Sequence, residues 1–99
     1  MGKGNLHPIE ELIQNFIQYY GVEEKLAAQK VIRNWEHLVG PEIANHTAFV
    51  KYQFRNKRLI IKLRDGLLAH RLQHETNRLM TLFKAYTKND KWIEEIKIY

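Results

Sequence analysis

The sequence predicts an α+β fold of element order ααββαβ, in which helices cover one face of a three-stranded mixed sheet. Three observations predict it. Apolar residues recur with a helical period as far as Gly40, and the period falls to two from Thr47. A helical stripe then returns, followed by a last alternating stretch that ends at Ile98. With 99 residues the chain has room for one hydrophobic core, so a single domain over 1–99 is expected.

The first helix is predicted over His7–Tyr20, where Ile9, Leu12, Ile13, Phe16, Ile17 and Tyr20 share one face. Pro8 suits its first turn, and Gly21 its C-terminal end. A second helix is predicted from about Glu23 to Leu38, with Leu26, Ala27, Val31, Trp35 and Leu38 turned inward. Its acidic start, Glu23 and Glu24, complements the positive end of the helix dipole. Gly40 stops it, and Pro41 opens a short turn through Asn45.

Thr47–Phe54 alternates as a strand, and Arg58–Arg64 places Leu59, Ile61 and Leu63 on one side. Arg55-Asn56-Lys57 is short enough for a hairpin, with Asn56 tolerating a positive φ. Asp65 is a predicted N-cap for a third helix over Gly66–Tyr86, with the stripe Leu68, Leu72, Leu79 and Phe83. Thr87–Asp90 breaks it, and Trp92–Ile98 reads as the last strand, with Ile96 and Ile98 inward. The second strand, third helix and third strand form a crossover, which makes those two strands parallel if they are neighbours.

Composition narrows the chemistry. The absence of cysteine excludes a disulfide framework, a thiolate metal site and a cysteine nucleophile, and fits a reducing cytoplasm. No signal peptide or membrane-spanning run is read, and a soluble cytoplasmic protein is expected. There is no serine, and glycines at 2, 4, 21, 40 and 66 make no phosphate loop. The pairs Glu10-Glu11, Glu23-Glu24 and Glu94-Glu95 are read as solvated surface, because adjacent helical residues do not face each other. His70 and His74 have a metal-like i, i+4 spacing, but Arg71 stands where a zinc peptidase carries its glutamate, and no third ligand is near. No catalytic residue, cofactor or metal is therefore expected, and the protein is read as a non-enzyme.

Charge points elsewhere. Residues 1–46 hold four bases and six acids, whereas residues 47–99 hold twelve bases and five acids. Lys51, Arg55, Lys57, Arg58, Lys62 and Arg64 fall within one stretch that has no acid until Asp65. Strand alternation sets Lys51, Arg58, Lys62 and Arg64 opposite the core-facing row, and Arg71, His74 and Arg78 are spaced to line one face of the third helix. Such a stripe suits phosphates, so these nine residues are the candidate nucleic-acid-binding set. Phe49 and Ile60 share the strand face of the cations; an aromatic there either packs or stacks a base, and packing is the favoured reading. Trp35 is placed in the core, its indole N–H needing one acceptor. Trp92 and Tyr99, on the terminal strand, are open to packing or to self-association.

The segment Trp35-Glu36-His37-Leu38-Val39-Gly40-Pro41-Glu42-Ile43-Ala44-Asn45-His46-Thr47 is the most distinctive in the chain. A helix ending in this way, then an I-A-x-H-T turn into a hairpin, resembles the bacterial DciA family. The similarity continues through Arg58–Leu63, through the helix carrying Leu72, Arg78, Leu79 and Met80, and into Ile93–Ile98. It thus spans about Leu6 to Tyr99. The resemblance implies a KH-like domain that assists the replicative helicase DnaB and contacts DNA. Three features depart from the pattern. No G-x-x-G loop is present, the chain stops at Tyr99 where relatives often carry a tail, and Arg71 stands where they often have an acid.

The expected function is therefore a nucleic-acid-associated adaptor whose basic hairpin and third helix hold phosphate, with DnaB as partner by resemblance. Single-stranded DNA is favoured over duplex, and RNA stays open. The alternative is a pure protein–protein interaction module; no membrane or small-molecule partner is expected.

Overall fold

The computed structural model describes Leu12 and residues 21–99. The predicted first helix lies outside these residues except for Leu12, which is helical and exposed rather than turned inward. The described elements are α1 (Val22–Arg33), α2 (Trp35–Val39), α3 (Pro41–Asn45), β1 (Thr47–Gln53), β2 (Arg58–Leu63), α4 (Gly66–Gln73), α5 (Thr76–Thr87) and β3 (Glu95–Ile98). The sheet has the order β1-β2-β3, with β1 and β2 antiparallel and β2 and β3 parallel. The α+β fold with its three-stranded mixed sheet is as the sequence predicts.

Two predicted helices are each interrupted once, for local chemical reasons. Asn34 separates α1 from α2: its side-chain amide donates to the Lys30 carbonyl at 2.8 Å, competing with the regular ladder. The third predicted helix divides at His74–Glu75, whose N–H groups reach back only three residues, to Arg71 and Leu72. This tightened turn carries the axis out of α4 and into α5. The predicted turn after Gly40 is the short helix α3, with Pro41 in its first turn. Asp65 caps α4 as predicted, accepting from the N–H groups of Leu67 (2.9 Å) and Leu68 (3.2 Å).

One side of the sheet is closed by α1, α4 and α5. Leu59, Ile61 and Leu63 of β2 and Ile96 and Ile98 of β3 meet Ala27, Ala28 and Val31, then Leu68, Ala69 and Leu72, then Leu79 and Phe83. Leu26 is a correction to the predicted inward set: it is 62% exposed. The buried arc of α1 centres on Ala27, Ala28 and Val31, and at the helical period Leu26 falls on roughly the opposite side. Phe54 is a second correction, lying in the turn after β1 rather than in the strand.

Both tryptophans are buried and use the same device. The Trp35 indole donates to Thr47 Oγ1 (3.0 Å), and that hydroxyl donates to the Ile43 carbonyl (2.6 Å). Trp92 donates to Thr87 Oγ1 (2.9 Å), which donates to the Phe83 carbonyl (2.9 Å). Each threonine thereby accepts the indole proton and satisfies its own. The first pair ties the end of the helical layer to the start of β1, which gives the Trp-to-Thr spacing of the distinctive segment a physical cause. Trp92 is fully buried ahead of β3, stacked at a tilt against Tyr52 (5.6 Å between centroids), so packing is the use made of it.

Candidate nucleic-acid interface

Strand pairing arranges the opposite side of the sheet as three rows. Gln53, Arg58 and Glu95 are in register across β1, β2 and β3, and so are Lys51, Ile60 and Lys97. Phe49 pairs with Lys62. Tyr99 continues that row, donating its N–H to Ile61 and accepting from Leu63 N–H, one on each side of Lys62. The two intervening rows, Tyr52-Leu59-Ile96 and Val50-Ile61-Ile98, point the other way, into the core. No described helix covers the outer rows, whose members are half-buried or exposed.

The rows differ in charge. In the row nearest the hairpin, Arg58 Nε bonds Glu95 Oε1 at 2.8 Å, which neutralises the pair. The middle row is cation, apolar residue, cation. The last row is aromatic, cation, aromatic, and no carboxylate side chain stands in either of these two. Lysines sit on both rings: Lys51 Nζ lies 4.8 Å from the Phe49 centroid, and Lys62 Nζ lies 4.8 Å from that of Tyr99. Contacts of this kind hold an ammonium against a ring face while leaving it hydrated on its other side.

The nine sequence-predicted site residues are not all gathered here. Lys51, Arg58 and Lys62 share the outer face, with Arg58 committed to Glu95. Arg55 is exposed in the hairpin turn. Lys57 ends that turn and takes the positive φ (48°) that was expected at Asn56. The Lys57 carbonyl accepts the N–H groups of Glu94 (2.8 Å) and Glu95 (3.2 Å), which ties the end of the turn to the start of β3. Arg64, just past β2, donates to the Asn45 carbonyl at 3.1 Å. The Arg71, His74 and Arg78 set was placed on one continuous helix, and the break at His74–Glu75 divides it. Arg71 belongs to α4, His74 is its C-cap, and Arg78 in α5 bonds Glu75 at 2.9 Å. The His70 and His74 rings are 5.2 Å apart, and no group of three metal-type ligands exists among the described residues.

Lys97 and the partnership of Phe49 with Tyr99 were missed by sequence reasoning. Alternation along Glu95–Ile98 does set Lys97 opposite Ile96 and Ile98, but only the parallel register with β2 brings it beside Ile60.

A second surface lies between α1 and β1. There Ala28, Ile32, Val50 and Phe54 line a groove of about 400 Å³, with Lys25, Gln29, Lys51 and Tyr52 around it. Lys51 therefore stands at the border of both surfaces. Burial, then the nearby carboxylates Glu24 and Glu94, push the Tyr52 phenol up to about 12, and its hydroxyl donates to the Trp92 carbonyl. No described helix is long and apolar enough to cross a membrane.

Fold and surface together define a small α+β domain with one helix-covered sheet face and a second face, bearing lysines and aromatic rings, that no described helix covers. Among the described residues Tyr52 alone has a clearly raised pKa, and its hydroxyl is engaged by a backbone carbonyl. The chain belongs to the DciA family: the family model described as Dna[CI] antecedent, DciA matches residues 8–98. That family is linked to loading of the replicative helicase DnaB and is not a known catalytic family. No curated protein matches the chain.

Proposed function

We propose that this protein is a non-enzymatic adaptor of the replicative helicase that holds DNA on the sheet face that no described helix covers. The observation that carries the reading is the adjacency of two rows without an acidic side chain, Lys51-Ile60-Lys97 and Phe49-Lys62-Tyr99. Three ammonium groups on a rigid sheet form a phosphate-binding surface whose affinity is dominated by counterion release. Lys57, Arg55 and Arg64 flank it and extend the positive field, whereas α4, which carries Arg71 and ends at His74, packs on the other side of the sheet.

The test is a fluorescence-anisotropy titration of the protein into labelled DNA at several salt concentrations. Binding by the wild type should weaken steeply with salt. The Lys62→Glu, Lys97→Glu double variant should lose most of it, and Arg58→Gln, Glu95→Gln, which removes the neutralised pair whole, should change little. Absence of wild-type binding even at low salt sinks the DNA reading.

The groove between α1 and β1 favours a second reading, a protein-interaction module indifferent to DNA. It has an apolar floor and a lysine at each side, which suits an acidic protein segment. Under that reading the Lys62→Glu, Lys97→Glu variant keeps its helicase complex, whereas Ile32→Asp in the groove abolishes it.

A further inference from the structure

We infer that Phe49 and Tyr99 are stacking positions for two unpaired bases of a single-stranded nucleic acid, with Lys51 and Lys62 as displaceable occupants of the two ring faces. This deepens the proposed function and rests on it. Phe49 and Tyr99 sit on the outer strands of the sheet with Lys62 between them, and two strand spacings separate them by about 10 Å. That distance is too long for the rings to stack on each other, so each offers its own face. Tyr99 is 44% exposed, and Phe49 is half-buried.

The lysines make the arrangement more than a pair of exposed rings. Each ring has an ammonium 4.8 Å from its centroid, in the space that a base stacked on that face would take. A base that arrives brings its own phosphate. As the base takes the ring, the displaced ammonium is freed within reach of that phosphate, and one cation–π contact is exchanged for a base stack and an ion pair. A duplex cannot make this exchange, because its base faces are covered by neighbouring base pairs. A protein carboxylate cannot make it either, since it has no π-face to take the ring. Ile60, between Lys51 and Lys97, provides an apolar floor beneath the strand.

The experiment compares oligothymidylate with an abasic oligonucleotide of equal length, both labelled, against the full chain at fixed salt. The wild type should bind the base-bearing strand at least about tenfold more tightly than the abasic one. In Phe49→Leu, Tyr99→Leu that preference should vanish while the salt dependence is unchanged, and Tyr99→Phe, which keeps the ring, should retain it. Circular dichroism of each variant checks that the sheet is intact. Equal binding of both strands by the wild type overturns the inference and leaves the phosphate reading standing. So does a preference that survives in the well-folded double variant. Failure to bind either strand removes both the inference and the reading beneath it.

Discussion

Thr47 and Thr87 each hold one tryptophan, and removing the hydroxyl leaves an indole N–H with no acceptor. Thr47→Val keeps the shape but strands Trp35, which is 8% exposed, and should cost about 1–3 kcal/mol in urea unfolding. The loss should fall on stability, because the Thr47 hydroxyl is spent on Trp35 and the Ile43 carbonyl and takes no part in the outer rows. Tyr52 supplies a pH signature. Its pKa is raised above the ordinary 10, so the folded state favours the neutral phenol. Its contribution is full below pH 10 and is lost as the pH rises through about 12. An absorbance titration should therefore show a late tyrosine step that is missing in Tyr52→Phe, and that variant should lose less stability over the same interval.

At the scale of elements, two backbone positions carry opposite expectations. Lys88 ends α5 in the left-handed conformation (φ 54°), which glycine adopts without strain. Lys88→Gly should raise stability by about 1 kcal/mol in thermal unfolding. Gly21 precedes α1 with φ 65°, and a Cβ there would run into the Phe54 ring. Gly21→Ala should therefore destabilise by more than the roughly 1–2 kcal/mol of left-handed strain alone. The same scale shows what the sequence made legible. The hairpin could be read because alternation is local, and the Asp65 cap because its partners lie two and three residues away. The breaks at Asn34 and His74–Glu75 could not, since a continuous apolar stripe runs across both. Leu26 misled for a related reason: the small residues Ala27 and Ala28, not the nearest leucine, define the face by which α1 approaches the sheet.

At the scale of the molecule, the candidate site depends on which strands are neighbours. Counting cations along the chain found Lys51, Arg58 and Lys62 but ranked them alike. Pairing with β3 separates them, because Glu95 neutralises Arg58 whereas Lys97 reinforces Lys51 and Lys62. The double variants Lys62→Glu, Lys97→Glu and Arg58→Gln, Glu95→Gln belong to this scale, since their contrast exists only in the assembled sheet. Family membership carries the link to the replicative helicase, and the row structure is what supports the proposed DNA contact.

The strand that completes the rows is the least anchored of the three. β3 has four residues, pairs on one side only, and meets β2 across a long stretch of chain, so closing it late carries an entropic cost. Its far edge is held by Gln73, whose amide donates to the Ile98 carbonyl at 2.8 Å. If β3 frays, Lys97 and Tyr99 leave the surface and Arg58 is released from Glu95, while Lys51, Lys62 and Phe49 stay on the hairpin. The frayed molecule would still attract a polyanion but would have only one ring with which to tell one kind from another. On the proposed reading, discrimination would rest on the edge strand and two of the three lysines on the hairpin, so a lesion at Gln73 should make the protein less choosy before it makes it less sticky.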